Sequence, residues 1–155
     1  MKKTNIYAVG AALVDTEVTV SDDFLRSQSI DKGVMTLVEQ PRQAELLNAL
    51  NNCGASLHRQ SGGSACNTAV AASYFGATAC FGGKVANDND GKLFASDLAQ
   101  ANVTFYSAKS GAGVTGKCLV MVTDDAERTM NTYLGVSDAF SEAEIDHNAL
   151  KDSQW

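Results

Sequence analysis

Residues 61–81 read Ser-Gly-Gly-Ser-Ala-Cys-Asn-Thr-Ala-Val-Ala-Ala-Ser-Tyr-Phe-Gly-Ala-Thr-Ala-Cys-Phe, and this order predicts the core of the fold. A glycine pair precedes an alanine-rich segment over 64–75, which is typical of a helix that Gly76 is well placed to end. The apolar run over 78–81 is typical of a buried strand, which Gly82 and Gly83 are expected to break. A helix that leads into a buried strand is the repeating unit of a parallel α/β sheet.

The segments on either side continue this alternation. Strands are predicted at 6–9 and 103–106, a helix at about 42–52, and a second helix capped by one of residues 88–90. Together they predict a three-layer α/β core. Other strand-like segments, at 17–20, 34–38 and 56–60, and a hairpin over 117–133 indicate a small β appendage. Ser141 and Glu144 form a capping-box pattern for a last helix ending near Leu150.

Composition narrows the class of protein. The 155 residues are 45% hydrophobic, which suits a single folded domain. Twelve basic against eighteen acidic residues give a net charge of −6, so no nucleic-acid partner is expected. The apolar run after Lys2 and Lys3 is short and leads to Asp15 and Glu17, which favours a first strand over a signal peptide; no membrane partner is expected.

The cysteines and histidines predict neither a disulfide framework nor a metal site. The four cysteines are widely spaced, with no Cys-x-x-Cys pair, which indicates reduced thiols and a cytoplasmic location. The two histidines, His58 and His147, have no ligand neighbour at helical spacing. We therefore expect no metal ligands in this chain.

The stretch at 111–118 reads Gly-Ala-Gly-Val-Thr-Gly-Lys-Cys and nearly matches two phosphate-binding motifs. A P-loop requires Ser or Thr after its lysine, because that hydroxyl binds Mg²⁺, but Cys118 stands there. Both motifs must also open a helix, whose N-terminal amides hold the phosphate. The following Leu-Val-Met-Val-Thr run is typical of a strand, so we expect a turn that enters a strand. A small nucleotide-binding protein remains an alternative.

The glycine pair and the helix after it suit a hydroxyl-bearing ligand. Glycine lets a ligand approach the backbone closely, and the start of a helix offers free N–H donors. Asn67 can both donate and accept, which suits a sugar hydroxyl, although an ordinary turn with a capping Ser64 fits the same residues. Asp15 follows the first strand, and ligands bind beyond the carboxyl ends of strands in open α/β sheets. Its carboxylate is therefore a candidate to bind a ligand, and the alternative is a solvated loop residue.

Four stretches together resemble the N-terminal half of the ribokinase-like (PfkB) family of carbohydrate and nucleoside kinases. Residues 9–15 are similar to its first strand and substrate aspartate, and 62–69 to its Gly-Gly-x-x-x-Asn signature. Residues 81–91 resemble its Gly-x-Val-Gly-x-Asp-x-x-Gly stretch, with Ala86 in place of a usual glycine. Glu-Arg-Thr-Met at 127–130 resembles the lid hairpin of the adenosine-kinase-like and fructokinase-like branches.

The resemblance implies a ribokinase-like three-layer α/β/α, Rossmann-like sheet with a small β-sheet lid. Residues 1–155 would be the substrate-binding half, and the C-terminal nucleotide-binding half would be absent. Lid strands are implied near 15–20, 34–38, 56–60, 104–109 and 117–133. The residues implied to bind a sugar or nucleoside are Asp15, Gly62, Gly63, Ser64 and Asn67.

The implied reaction is attack of a primary hydroxyl on the γ-phosphate of Mg-ATP. The family places its base and anion hole in an Asp-Thr-x-Gly-Ala-Gly-Asp motif of the second half. Residues 111–113 do not match that motif, because Val114 stands where its aspartate should be. We therefore expect no catalytic residue here, no activity of this chain alone, and most groups that bind ATP and Mg²⁺ in the missing half.

Half a sheet leaves an open edge, so the implied partners include a complementary C-terminal half, or a second copy bound through the lid or that edge. A sugar or nucleoside is the implied small-molecule partner. The alternative to a kinase half is a non-catalytic α/β module that binds a sugar or dimerises. The sequence leaves open which sugar or nucleoside is bound and whether the half folds alone.

Overall fold

The computed structural model describes residues 3–108 and 112–155. The strands within these ranges are β1 (Ile6–Val9), β2 (Leu13–Thr19), β3 (Met35–Leu37), β4 (His58–Gly62), β5 (Ala79–Lys84), β6 (Val103–Ala108), β7 (Gly116–Val122) and β8 (Arg128–Tyr133). The helices are α1 (Asp22–Ser27), α2 (Gln40–Asn52), α3 (Ser64–Tyr74), α4 (Asn89–Gln100) and α5 (His147–Lys151). Short 3-10 segments cover Gly135–Ala139 and Glu142–Glu144.

The chain forms two compact units. The larger unit comprises Met1–Val14, Gln60–Gly116 and Leu134–Trp155. The smaller unit comprises Asp15–Arg59 and Lys117–Tyr133. The polypeptide passes from one unit to the other within β2, within β4, at the start of β7 and at the end of β8.

The larger unit is a parallel sheet in the order β1-β5-β6, covered on both faces. The helices α3 and α4 pack on one face, where the rings of Phe81, Phe94 and Phe105 are centred 5.3 to 5.9 Å apart. Ala149 of α5 packs on the other face, against Tyr7. Successive side chains of a strand point to opposite faces, so β5 contributes to both layers. The predicted three-layer α/β core is confirmed.

The smaller unit is built on a five-stranded sheet in the order β3-β8-β7-β2-β4. β7 and β8 form the predicted antiparallel hairpin, in a register that runs from Lys117 opposite Tyr133 to Val122 opposite Arg128. The segments expected near 15–20, 34–38, 56–60 and 117–133 all lie in this sheet. Its core joins α1 and α2 to the sheet through buried side chains, namely Val18, Val20, Leu25, Leu46, Leu50, Leu119 and Met121.

The expectation of a lid strand near 104–109 is wrong for residues 104–108. β6 pairs parallel with β5, from Ala79 opposite Val103 to Lys84 opposite Ala108, and belongs to the larger unit. The reason is the connection through α4, because a strand–helix–strand crossover returns the chain parallel to the strand it left. Residue 109 lies outside the described residues.

Three local expectations also need correction. β5 runs through Gly82 and Gly83 unbroken, and a Cβ on Gly82 would lie 2.5 Å from the Tyr7 hydroxyl oxygen. The capping box at Ser141 starts only the 3-10 segment Glu142–Glu144, while α5 has its own N-cap in Asp146. The sequence did not predict α1, a six-residue helix that buries one leucine.

All four cysteines are free; Cys53 is exposed, and Cys66, Cys80 and Cys118 are buried. Within residues 3–108 and 112–155, none of the helices has the length and apolar character needed to cross a membrane.

Candidate functional site

Gly62 and Gly63 join β4 directly to α3. Gly62 is the buried last residue of β4, and Gly63 is the N-cap of α3 with a φ of 98°. A Cβ atom on Gly63 would lie only 2.5 Å from the carbonyl oxygen of Ala11. The positive φ and this approach both require glycine. The pair therefore brings the first turn of α3 against the turn that follows β1.

The first turn of α3 presents uncapped polar groups. The backbone amide of Asn67 donates to the Gly63 carbonyl at 2.8 Å, and no side chain caps the helix. Ser64 is the first helical residue rather than the cap, which contradicts the capping alternative. The side chains of Ser64 and Asn67 are exposed. The first amides of a helix have no partner within it, so this turn can donate to and accept from hydroxyls.

A buried serine fixes the turn beside the glycine pair. The Ala12 amide donates to the Ser137 hydroxyl at 3.0 Å. That hydroxyl oxygen lies 2.9 Å from the Ala12 carbonyl and 3.0 Å from the Lys84 carbonyl, either of which accepts its proton. Ser137 therefore ties the turn after β1 to the end of β5. Sequence reasoning missed it, because 125 residues separate Ser137 from Ala12 and no motif marks either.

The stretch at 111–118 has a structural role at its described residues. The Thr115 hydroxyl donates to the Asp88 carboxylate at 2.6 Å and accepts from the Ala86 amide at 2.9 Å. Asp88 also caps α4 by accepting from the Gly91 amide at 2.8 Å. Strand β7 begins at Gly116, so the helix that a P-loop requires is not formed. Gly111 lies outside the described residues.

Asp15 lies within β2 rather than in a loop, which corrects the expectation for its position. Its side chain is half-buried and makes no hydrogen bond within the described part of the chain. Burial raises the pKa of its carboxyl from 3.8 to about 6, although the Arg128 guanidinium works in the opposite direction. The result is a carboxylate that lacks hydrogen-bond donors among residues 3–108 and 112–155.

Cys118 lies near this carboxylate within the smaller unit, and Thr132 is its hydrogen-bond partner. They face each other across the β7–β8 hairpin, and the Thr132 hydroxyl donates to the Cys118 sulfur at 3.2 Å. Burial, reinforced by the charge of Asp15, raises the pKa of the Cys118 thiol. The hairpin register could have predicted this pair, because cross-strand neighbours in an antiparallel ladder lie in contact.

The predicted site residues fall into two groups. Gly62, Gly63, Ser64 and Asn67 lie together at the junction of β4 and α3, in the larger unit. Asp15 belongs to the smaller unit and is the residue that follows Val14, a buried member of the larger unit's core. Among residues 3–108 and 112–155, no three His, Cys, Asp or Glu side chains gather where they could hold a metal ion.

Comparisons with known proteins agree with the fold and the motifs. Residues 29–154 match the family described as pfkB family carbohydrate kinase. The chain is similar to an adenosine kinase from Sinorhizobium meliloti, with 34% identity and a TM-score of 0.87, over 98% of this chain and 46% of that one. A probable sugar kinase from Rhizobium etli gives 33% identity and a TM-score of 0.89, over 99% and 46%.

A more distant structure, adenosine kinase from Schistosoma mansoni in complex with adenosine, gives 22% identity and a TM-score of 0.82, over 96% and 44%. The expected ribokinase-like fold is thus confirmed. The chain spans about half the length of the solved structures it matches. None of the curated proteins compared matches the chain.

Proposed function

The chain belongs to the pfkB family of carbohydrate kinases, and from this premise we propose that it is the substrate-binding half of an ATP-dependent sugar or nucleoside kinase. The observation that carries the proposal is the start of α3, where Gly63 opens a helix without a capping side chain and Asn67 is exposed. Amides of an uncapped helix start and a carboxamide beside close-packed glycine suit a ligand rich in hydroxyls. The site residues are assigned on this basis together with the family resemblance.

The proposed task of this chain is to bind and orient. The start of α3 and the Asn67 side chain hydrogen-bond the sugar hydroxyls, and the tie from Ser137 to Ala12 keeps the neighbouring turn in place. Holding the ring fixes the direction of its primary hydroxyl toward a phosphoryl donor. Phosphoryl transfer depends largely on such positioning, so binding contributes directly to rate.

Asp15 is proposed to accept hydrogen bonds from hydroxyls of a sugar or nucleoside. Its carboxylate is half-buried and has no donor within the described chain, so donated hydroxyl protons would stabilise its charged form. Because its pKa is raised to about 6, the free chain holds a neutral carboxyl below that pH. Substrate affinity should therefore fall as the pH drops below 6.

ATP is the proposed phosphoryl donor, and family members use it with Mg²⁺. The described residues do not fit a metal site, because no group of three potential ligands gathers among them. The stretch before β7 does not open a helix and so lacks the phosphate cradle of a P-loop. We assign the metal, the nucleotide and the base to a complementary half, and this chain alone is proposed to be inactive.

Both adenosine-like and fructose-like substrates fit the proposal, since one similar structure is an adenosine kinase and another a probable sugar kinase. The proposed location is the cytoplasm, where the buried thiols of Cys66, Cys80 and Cys118 stay reduced.

A chimaera tests the proposal. This chain replaces the matching half of the Sinorhizobium meliloti adenosine kinase, and phosphoryl transfer from ATP to adenosine and to fructose is measured. We expect transfer to one of them, and none by the chain alone. Asp15→Ala and Asn67→Ala should each lower kcat/KM by roughly 10- to 100-fold, because each removes hydrogen bonds made by the substrate.

Matched controls separate binding from folding. Asp124→Ala and Asn51→Ala remove the same side chains at exposed positions of the smaller unit and should leave kcat/KM unchanged. A folded chimaera that binds neither compound would refute the proposal. A chain that binds sugar through Asn67, in a chimaera that transfers no phosphate, would instead favour a non-catalytic sugar-binding module.

A further inference from the structure

A carboxylate from α4 holds the residue that precedes the glycine pair. The backbone amide of Ser61 donates to Oδ2 of Asp97 at 2.6 Å, across 36 residues of sequence. A hydrogen bond from an amide to a carboxylate is roughly twice as strong as one between neutral groups. Both residues belong to the larger unit, so the bond lies within one compact body. The approach to the glycine pair is therefore fixed by a side chain that no sequence motif marks.

The helix that carries Asp97 is itself firmly placed. Asp97 follows Phe94 by three residues and precedes Leu98, and both of these side chains are fully buried in the core of the larger unit. Cys66 and Ala69 bury α3 in the same core. The Asp97 side chain is half-buried. A carboxylate on a helix that is anchored in this way holds its partner amide at a defined place relative to the start of α3.

The glycine pair needs such an anchor, because glycine restrains the backbone less than any other residue. On the far side of the pair, Gly63 packs against the turn that Ser137 fixes through Ala12. On the near side, the bond to Asp97 fixes the residue before Gly62. Without that bond, the backbone at Gly62 would sample more conformations, and a ligand would have to order it. Ordering the backbone of one residue lowers affinity by about 5- to 30-fold.

We propose that Asp97 is a positioning residue for the substrate, which acts through Ser61 to keep Gly62 and Gly63 in the conformation that binds. The inference rests on the proposed function, in which these glycines and the start of α3 bind a sugar or nucleoside. Because Asp97 orders the backbone before the ligand arrives, its loss should raise the KM for that ligand and leave kcat nearly unchanged. A purely structural bond would instead lower the free energy of unfolding and leave the KM of the folded protein as it was.

The first experiment measures amide hydrogen exchange in the full chain without ligand. Asp97→Ala removes the acceptor, so exchange of the Ser61 amide should become about tenfold faster or more. Asp97→Asn keeps an acceptor oxygen and should leave that amide close to its original rate. Asp124→Ala removes a carboxylate at an exposed position and should change nothing at Ser61, while the Phe81 amide inside β5 verifies in every sample that the sheet is folded. Equal exchange of the Ser61 amide in Asp97→Ala and in the original chain overturns the inference.

The second experiment places the same variants in the chimaera and measures kinetics with the compound that the chimaera phosphorylates. Asp97→Ala should raise the KM for that compound roughly 5- to 30-fold, with kcat and the KM for ATP within about twofold of the original, and Asp97→Asn should restore the KM. Asp97→Glu keeps the charge but displaces the acceptor oxygens by one carbon, so it should also raise the KM, and it replaces Asp97→Ala if that variant does not fold. A folded Asp97→Ala chimaera with an unchanged KM overturns the inference and leaves the proposed function standing. A folded chimaera with the original Asp97 that binds neither compound refutes the proposed function instead.

Discussion

Gly63→Ala should destabilise the chain more than Gly76→Ala, and the difference measures the close approach at the start of α3. Both glycines have positive φ, 98° and 88°, and they flank the two ends of the same helix. An alanine in such a conformation costs about 1–3 kcal/mol at either position. At Gly76 the added Cβ meets nothing within 4 Å, whereas at Gly63 it lies 2.5 Å from the Ala11 carbonyl oxygen.

That oxygen cannot move freely, because Ser137 fixes the next residue of the turn through the Ala12 amide and carbonyl. Forcing a methyl group into a closely packed place costs about 1–3 kcal/mol. The total loss for Gly63→Ala is therefore roughly 2–6 kcal/mol, against 1–3 kcal/mol for Gly76→Ala. Urea unfolding with linear extrapolation measures both. Equal losses for the two variants would show that the approach to Ala11 carries no energy, and the reasoning would fail.

Three further predictions concern single side chains. Folded Asp15 keeps its proton to about pH 6 and the unfolded chain releases it near 3.8, so stability should fall as pH rises between these values, by at most about 3 kcal/mol. Asp15→Asn should abolish that slope in urea titrations from pH 4 to 7 and be the more stable protein at pH 7. Ser137→Ala should lower the free energy of unfolding by about 1–3 kcal/mol, because the Ala12 amide loses its buried acceptor; no change would contradict the tie. In native protein only the exposed Cys53 should react rapidly with a thiol reagent, and rapid reaction of a second thiol would contradict the burial of the other three.

The fold was predictable where the signal was local. The alanine-rich helix, the hairpin and a cap at one of residues 88–90 each follow from a local sequence pattern, and the structure has all three, with Asp88 as the cap. The predicted break at Gly82 and Gly83 was wrong because glycine is common in turns. Within β5, the missing side chain instead leaves space for a neighbouring side chain. The position opposite the Tyr7 hydroxyl needs a residue without a side chain, and that need is set by β1, more than seventy positions away in the sequence.

Pairing between segments that are distant in the sequence was harder to predict than the local elements. The sequence of a strand at 103–108 is the same kind of pattern whether the strand belongs to a lid or to a core sheet. Only its pairing with β5 shows that it belongs to the core sheet. The same limit applied to the site. The glycine pair and Asn67 form one short motif, so the sequence alone singles them out as candidates. The serine that holds the turn beside them lies in a separate 3-10 segment, with no pattern of its own.

Two features at the predicted binding residues are unfavourable in the free chain, and this argues for a ligand on physical grounds. A buried carboxylate with a purely structural role normally accepts hydrogen bonds from protein donors. Asp15 is half-buried and has no such donor within the described residues. The start of α3 likewise has no capping side chain, although Ser, Asp or Asn is the usual residue at a helix N-cap. Hydroxyl groups supply what both places lack, donors for the carboxylate and acceptors for the amides. Both places cost stability in the free chain, and both lack hydrogen-bond partners that hydroxyl groups would supply. Such a loss of stability is expected where residues serve binding rather than folding alone.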